Sequence, residues 1–390
     1  MKYDGVNASS LTGIAYGTPI WHYVSGDLKH KFYIKQVQRV ARNKYKIYTT
    51  SPIGLLNKQY HKGGVYTGVL FSTLISELIN GVVPYTYDAD VGATKIFGWL
   101  PYETKRKNLH QIMFAENISI VKNSDGDMHF TFIQQDNNPT EIPQNRIFVG
   151  GTVKFPTVAT RVQLTEHSYQ DVDTIETVTL IDNSDKTPAT NKLFVFDTAP
   201  IVASTIEAHG DLTINEYGVN YAIVTGQGTV TGRPYYDKLS TVEKTYNSGG
   251  ESYTVSVDDA TLVTGINSEN VADRLLSYYT SGEIVNADVN ISGEKCGRVY
   301  QFIDMFGNTV QAFLTKMSAK ISSFIRASCE FVTGYVPDTF GNNYTHWAYV
   351  TGNGYIEIQE GTKIARFVII GGGDGGSSGL KGLDDYNDLQ

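Results

Sequence analysis

Apolar and polar residues alternate along two stretches near opposite ends of this chain, and glycine turns cut both stretches. The first runs from Gly17 through Ile20-Trp21-His22-Tyr23, a Ser25-Gly26-Asp27 turn, Phe32-Tyr33-Ile34 and Tyr45-Lys46-Ile47-Tyr48. The second runs from Gly297 through Val299-Tyr300-Gln301-Phe302, a Phe306-Gly307-Asn308 turn, Phe313-Leu314, Met317 and Ile321, then 324–331. A period of two marks strands with one buried face. From Gly17 to Phe32 is 15 positions and from Gly297 to Phe313 is 16, so the stretches read as copies of one strand–turn–strand unit. A sheet unit used twice, so far apart, predicts a barrel-like body assembled from the chain ends with other modules inserted between.

Between the two units the period changes. Leu70, Phe71, Leu74, Ile75, Leu78 and Ile79 fall at helical spacing, with Thr67 as N-cap and Gly81 as stop. A second helix is predicted over about 103–117, burying Leu109, Ile112 and Met113. Next comes a hairpin signal, Ile118 to Val121 and Met128 to Ile133 around Asp125-Gly126. From 150 to about 250 the chain reads as short strands at 158–164, 177–181, 192–196, 211–214 and 221–225. A third helix starts at Asn267 or Ser268, with Glu269 in its first turn, and buries Val271, Leu275, Leu276 and Tyr279. After Pro337, residues 347–358 alternate, 363–370 form an apolar-rich strand, and glycines at 371–379 open a flexible acidic tail.

The fold class is therefore mainly β with α+β insertions. The expected divisions are 1–52 (first β-barrel unit), 53–149 (α+β peripheral domain), 150–254 (β module), 255–337 (helix and second β-barrel unit) and 338–390 (glycine-rich segment).

Composition agrees. Among 390 residues there are 26 tyrosines and 38 glycines, and only 18% are charged, a balance suited to half-buried sheet faces and many turns. The formal net charge of −8 argues against a nucleic-acid binder, which needs cationic surface to displace counterions. Lys105-Arg106-Lys107 is too short to reverse that and reads as the solvated first turn of a helix. No apolar run approaches the ~20 residues of a membrane span, and the N-terminus lacks a signal-peptide core. Synthesis in the cytoplasm is expected. Cys296 and Cys329 could pair if their strands are neighbours, but buried free thiols are the expectation.

Motifs for chemistry fail on their surroundings. A Gly-x-Gly-x-x-Gly match at 371–376 follows a strand, yet no helix follows to hold a pyrophosphate. Asn123-Ser-Asp125-Gly126-Asp127 resembles half a calcium loop but runs straight into a strand. Eight scattered histidines form no metal pair, and Glu166-His167 would point to opposite faces of a strand. No nucleophile elbow is present. No catalysis, cofactor or metal is expected.

Two segments carry a family resemblance. One is 50–68, Thr-Ser-Pro-Ile-Gly54 through His61-Lys-Gly63-Gly64-Val-Tyr66-Thr-Gly68. The other is Val91-Gly-Ala-Thr-Lys95-Ile-Phe97-Gly98-Trp99-Leu100-Pro101 with Lys107-Asn-Leu-His-Gln111. Together they resemble tail or baseplate hub proteins of phages and prophages in gut Firmicutes, similar to the trimeric hub class of long-tailed phages and contractile injection systems. The similarity runs from about Leu11 to Tyr335. It implies two similar β-barrel domains per subunit, so that a homotrimer presents six near-equivalent units to a sixfold tail tube. Such relatives carry further N-terminal strands, so the first barrel is expected to be incomplete or completed by another subunit. Residues 355–379 resemble the opening of a glycine-rich adhesin-like module that here stops almost at once.

The resulting expectation is a virion structural protein, a hub at the distal end of a tail that joins the tube to tip, spike or adhesin proteins. Trp21, Tyr23, Phe97 and Trp99 are the candidate interface anchors, against the alternative that they are ordinary core aromatics. The rival reading is a tail-tip carbohydrate-binding protein that takes a cell-surface glycan, with Asn342 to Trp347 as its site. A third, a tail-tip hydrolase, would need a buried carboxylate or Cys/His cluster at a cleft.

Overall fold

A computed structural model describes residues 15–24, 27–41, 44–133, 139–198, 200–246, 252–321 and 325–335. The chain is mainly β, and its sheets are mostly antiparallel. The first unit is a three-stranded meander of β1 (Pro19–Val24), β2 (Asp27–Ala41) and β3 (Lys44–Thr50), with the long β2 in the centre. The second unit has the same plan in Val299–Ile303, Thr309–Ile321 and Ile325–Thr333.

The match extends to individual hydrogen bonds. Gly17 N–H donates to Ile34 O and Ile34 N–H to Thr18 O, both at 2.9 Å; Gly297 N–H donates to Leu314 O at 2.8 Å and Leu314 N–H to Arg298 O at 2.9 Å. Both glycines have positive φ, 85° and 83°, a conformation that favours glycine. Pro19 opposes Tyr33 as Val299 opposes Phe313. A β-bulge follows at the same place, between Ile34 and Gln36 in one unit and between Leu314 and Lys316 in the other. The structural counterpart of Phe313 is thus Tyr33, one residue beyond the Phe32 that spacing alone suggested.

Neither unit closes into the expected barrel among the described residues. Closure requires the last strand to pair with the first, and here β1 and β3 lie at opposite edges of an open sheet. The second unit is wider, a six-stranded sheet ordered Thr140–Glu141, Val299–Ile303, Thr309–Ile321, Ile325–Thr333, Ile284–Asn290, Thr152–Lys154. One segment, 140–154, supplies both of its outer strands, and on the way Ile142 and Ile147 pack against its apolar face. Cys329 lies in that core with Cys296 packed against it, both as free thiols. Burial pushes the Cys329 thiol up to about 12 and raises that of Cys296.

The α+β segment encloses the largest apolar core, in which Phe71, Leu74, Leu109, Ile112 and Phe130 meet. Its first long helix is Phe71–Ile79, and Thr67 does not cap it. The strand Gly64–Leu70 instead runs on until Leu70 opposes Lys95, because pairing with Lys95–Leu100 holds residue 67 extended. The second helix, Lys105–Glu116, begins at Thr104, whose Oγ1 accepts the Lys107 N–H, and ends at Asn117 in the left-handed region. The basic triplet is its first turn. Leu109 and Ile112 are buried and Met113 partly so. The hairpin Ile118–Lys122 with Met128–Phe132 forms as predicted, with Gly126 at φ 77°.

Farther along, the strand Tyr221–Gly232 is flanked by Glu207–Gly218, Ala189–Val195 and Val178–Asp182 around its own apolar core. The strand Arg161–Glu166 belongs elsewhere, between Ser240–Thr245 and Thr254–Val257. The third long helix, Ser268–Thr280, packs Val271 and Ala272 against Leu164 of that strand. Val271 is buried as expected, while Leu275 and Leu276 are half-buried and Tyr279 is exposed. The helix buries its N-terminal half, and in its last turns the ring facing the second unit is Tyr278, 5.3 Å from Tyr335. The expected strands after Pro337 lie outside the described residues.

Candidate functional site

The first unit touches the body of the molecule through one face. Tyr33 is inserted into the large core beside Leu55 and Leu56, and Lys31 Nζ donates to Asp127 Oδ1 in the turn of the hairpin that ends at Phe132. Burial alone would lower the Lys31 pKa, but the Asp127 hydrogen bond and charge outweigh it and hold the ammonium above its ordinary value.

Elsewhere the unit exposes large side chains. Trp21 and Tyr23 on β1 are 46% and 57% exposed, and Val40, Ile47 and Tyr48 on β2 and β3 are also open. Lysines partly screen the rings: Lys31 Nζ lies 5.8 Å from the Trp21 ring centre and Lys46 Nζ 4.8 Å from that of Tyr48. Neighbouring Ile47 and Tyr48 point to opposite faces of β3, so these exposed groups do not make one patch.

The second unit exposes apolar groups at the same hairpin end. Ile303 is the fifth residue of its strand, as Tyr23 is of β1, although the bulge before Tyr23 has no counterpart there; Met305 and Phe306 follow on the turn, both exposed. Asp304 shapes that turn: its Oδ1 accepts the N–H groups of Phe306 and Asn308 at 2.8 Å each. Phe306 reads as a turn residue in the sequence, where nothing distinguishes an exposed Phe from a buried one.

Phe97 and Trp99 have a different setting. Both are half-buried on Lys95–Leu100. Trp99 N–H donates to Thr261 O at 3.2 Å, Thr261 Oγ1 donates back to Trp99 O at 2.6 Å, and the indole meets Tyr169 edge-on at 6.4 Å. The structure therefore separates the four candidate anchors. Trp21 and Tyr23 share an open strand, while Trp99 forms a joint within the chain.

Groups with catalytic potential are scattered. Among the described residues no three His, Cys, Asp or Glu side chains stand close enough to hold a metal. Glu166 and His167 diverge: Glu166 accepts from Ser268 and Ser240, whereas His167 Nδ1 faces Asp237 Oδ2 at 2.7 Å. That Asp–His pair has no nucleophile bonded to Nε2. His61 is buried beside Asn108, and burial with the nearby Lys105 charge lowers its pKa to about 4. A small surface pocket is lined by Tyr16, Lys35, Thr50, Gly54, Asn57 and Lys58 and contains no carboxylate. Among the described residues no helix is long and apolar enough to cross a membrane. The Asn342–Trp347 stretch and the glycine-rich motif at 371–376 lie outside the described residues.

No protein-family model matches the sequence, nor does any curated protein. Solved structures do. A tail protein from Neisseria meningitidis MC58 aligns over 84% of this chain and 87% of its own, with a TM-score of 0.51 at 10% identity. The prophage MuSo2 43 kDa tail protein from Shewanella oneidensis aligns over 82% and 84%, with a TM-score of 0.47 at 7% identity. Prophage tail protein gp18 from Listeria monocytogenes EGD-e covers 79% and 78%, with a TM-score of 0.44 at 11% identity. The chain shares the fold of the Neisseria tail protein.

Proposed function

We propose that this chain is a structural component of a phage or prophage tail: a homotrimeric hub at the distal end that joins the tail tube to tip, spike or adhesin proteins. The observation that carries this reading is the pair of three-stranded units with the same entry register, a shared bulge after Ile34 and Leu314 and the same glycine entry turn. The first unit has two further register shifts, at His22/Tyr23 and Arg39/Ala41. Two near-equivalent sheets per chain let a threefold ring offer six similar surfaces, the number a sixfold tube needs. Both sheets also expose apolar groups at the same hairpin end, as docking onto one repeated partner requires. Shared fold with a tail protein agrees with this role. The work is geometric and needs no catalytic group, and the site of action is the virion.

Light scattering on the purified chain across a concentration series tests it. A stable species near three times 43.1 kDa is expected. A chain that stays monomeric and binds neither tube nor tip proteins, but binds a cell-surface glycan, would replace the hub by the carbohydrate-binding reading.

A further inference from the structure

The duplication makes one unit a template for the other, and one strand of the second unit has no counterpart among the described residues of the first. In the second unit the third strand, Ile325–Thr333, pairs on its outer side with Ile284–Asn290, and Cys329 opposite Ala287 is 3% exposed. In the first unit β3 pairs only with β2 among the described residues. Ile47 occupies the position of Cys329, opposite Val37 as Cys329 is opposite Met317, yet it is 39% exposed. Ile20, Phe32 and Val37 on the same face are only half-buried, while their counterparts Tyr300 and Ala312 lie in a closed core. An open apolar edge of this kind pairs with any available strand.

The sequence contains a candidate to fill it. The strand Ile284–Asn290 directly precedes the second unit and contains Val285-Asn286-Ala287, followed by a connection to Gly297 along which Ile291 and Cys296 pack against the core. Before the first unit stands Val6-Asn7-Ala8, with a connection to Gly17 one residue shorter. Leu11 takes the place along it of Ile291.

We propose that the chain's own residues 5–14 bind the outer edge of β3 and the apolar face around Val37 and Ile47. Val6 would oppose Thr49, Asn7 Tyr48 and Ala8 Ile47, with Leu11 laid over the face. The register is copied from Val285 opposite Phe331, Asn286 opposite Glu330 and Ala287 opposite Cys329. The fourth strand is then intramolecular, and neighbouring subunits meet the completed sheet.

Paired cysteines in the full-length chain test this, because a disulfide requires Cβ atoms within about 4.5 Å. Ala8→Cys with Ile47→Cys should oxidise to a link within one chain, found by peptide mass spectrometry in protein that runs as a monomer on a non-reducing gel. Ala8→Cys with Tyr45→Cys, two positions out of register, should link at least several-fold less. Equal linking of the two pairs, or links between chains, would overturn the proposal; the latter would mean that a neighbour donates the strand. Hydrogen exchange gives a second reading without cysteines. Deleting residues 1–14 should speed exchange of β3 amides at least tenfold and leave Ile325–Thr333 unchanged; unchanged β3 exchange would also overturn it. Neither experiment depends on the tail reading.

Discussion

Tyr33 and Phe313 occupy one position in two copies of the same sheet: each opposes the first residue of its outer strand, Pro19 or Val299, and each is buried on the face that meets the body. Tyr33 enters the core of the α+β segment, whereas Phe313 packs edge-on to Tyr335 at 5.1 Å, near the end of the third long helix. One aromatic thus anchors each unit to a different support. Tyr33→Ala and Phe313→Ala should each cost about 3–5 kcal/mol, the usual loss for truncating a buried aromatic. Urea denaturation would show it. A loss under about 1 kcal/mol at Tyr33 would mean that the first unit is not held through that ring.

Trp21 and Tyr23 should behave in the opposite way. As open side chains they contribute little to folding, so Trp21→Ser with Tyr23→Ser should leave the unfolding free energy within about 1 kcal/mol of the parent. Assembly should weaken instead, because exposed aromatics dominate interface energies. Sedimentation of the double variant against the parent would decide it; unchanged assembly with lost stability would return both residues to the core.

The Arg146–Glu294 pair ties the segment bearing the two outer strands to the second sheet. Arg146 donates to Glu294 Oε1 and to Asn290 O, and Glu294 Oε2 accepts the Ser292 N–H at 2.7 Å. The Glu294 side chain is 5% exposed. Removing one partner leaves a buried charge, so Arg146→Met and Glu294→Met should each cost about 3–5 kcal/mol, while the double change should cost markedly less than their sum. A double-mutant cycle reads the difference, and additive losses would show that the two charges do not interact.

His61 should make stability fall in acid. Its pKa in the folded chain is about 4, below the ordinary 6.5, mainly because burial disfavours the charged ring. Unfolding therefore takes up a proton. The stabilisation is complete above pH 6.5 and is lost as the pH falls through 4, by about 3 kcal/mol in all. The curve of unfolding free energy against pH for His61→Gln should be flatter than the parent's across that window. Parallel curves would show that His61 does not titrate in it.

Gly98 marks a crossing of two chain segments. Its φ is 105°, and a Cβ there would lie 2.4 Å from Thr261 O, the carbonyl that accepts the Trp99 N–H. Gly98→Ala should cost about 1–3 kcal/mol in backbone strain alone and alter the near-ultraviolet dichroism of Trp99. A neutral substitution would mean that the Thr261 loop yields.

Much of this was legible in the residues. The hairpin around Asp125-Gly126, the helix after Thr104 and the duplicated units were all readable, because each rests on local rules: turn chemistry, capping and a period of two. Locality also limited the reading. Thr67 had every quality of an N-cap, but a strand more than twenty-five residues away in sequence holds it extended. Spacing aligned Phe32 with Phe313, and only the paired hydrogen bonds of Gly17 and Gly297 show that Tyr33 is the true counterpart. Trp21 and Trp99 look alike in sequence; one is open and the other is bound to Thr261 and Tyr169. Local pattern was enough to find the three long helices, the Asp125-Gly126 hairpin and the repeated sheet unit. Tertiary structure decided which face each sheet turns inward and which aromatics stay in water, since those depend on partners that no local pattern encodes.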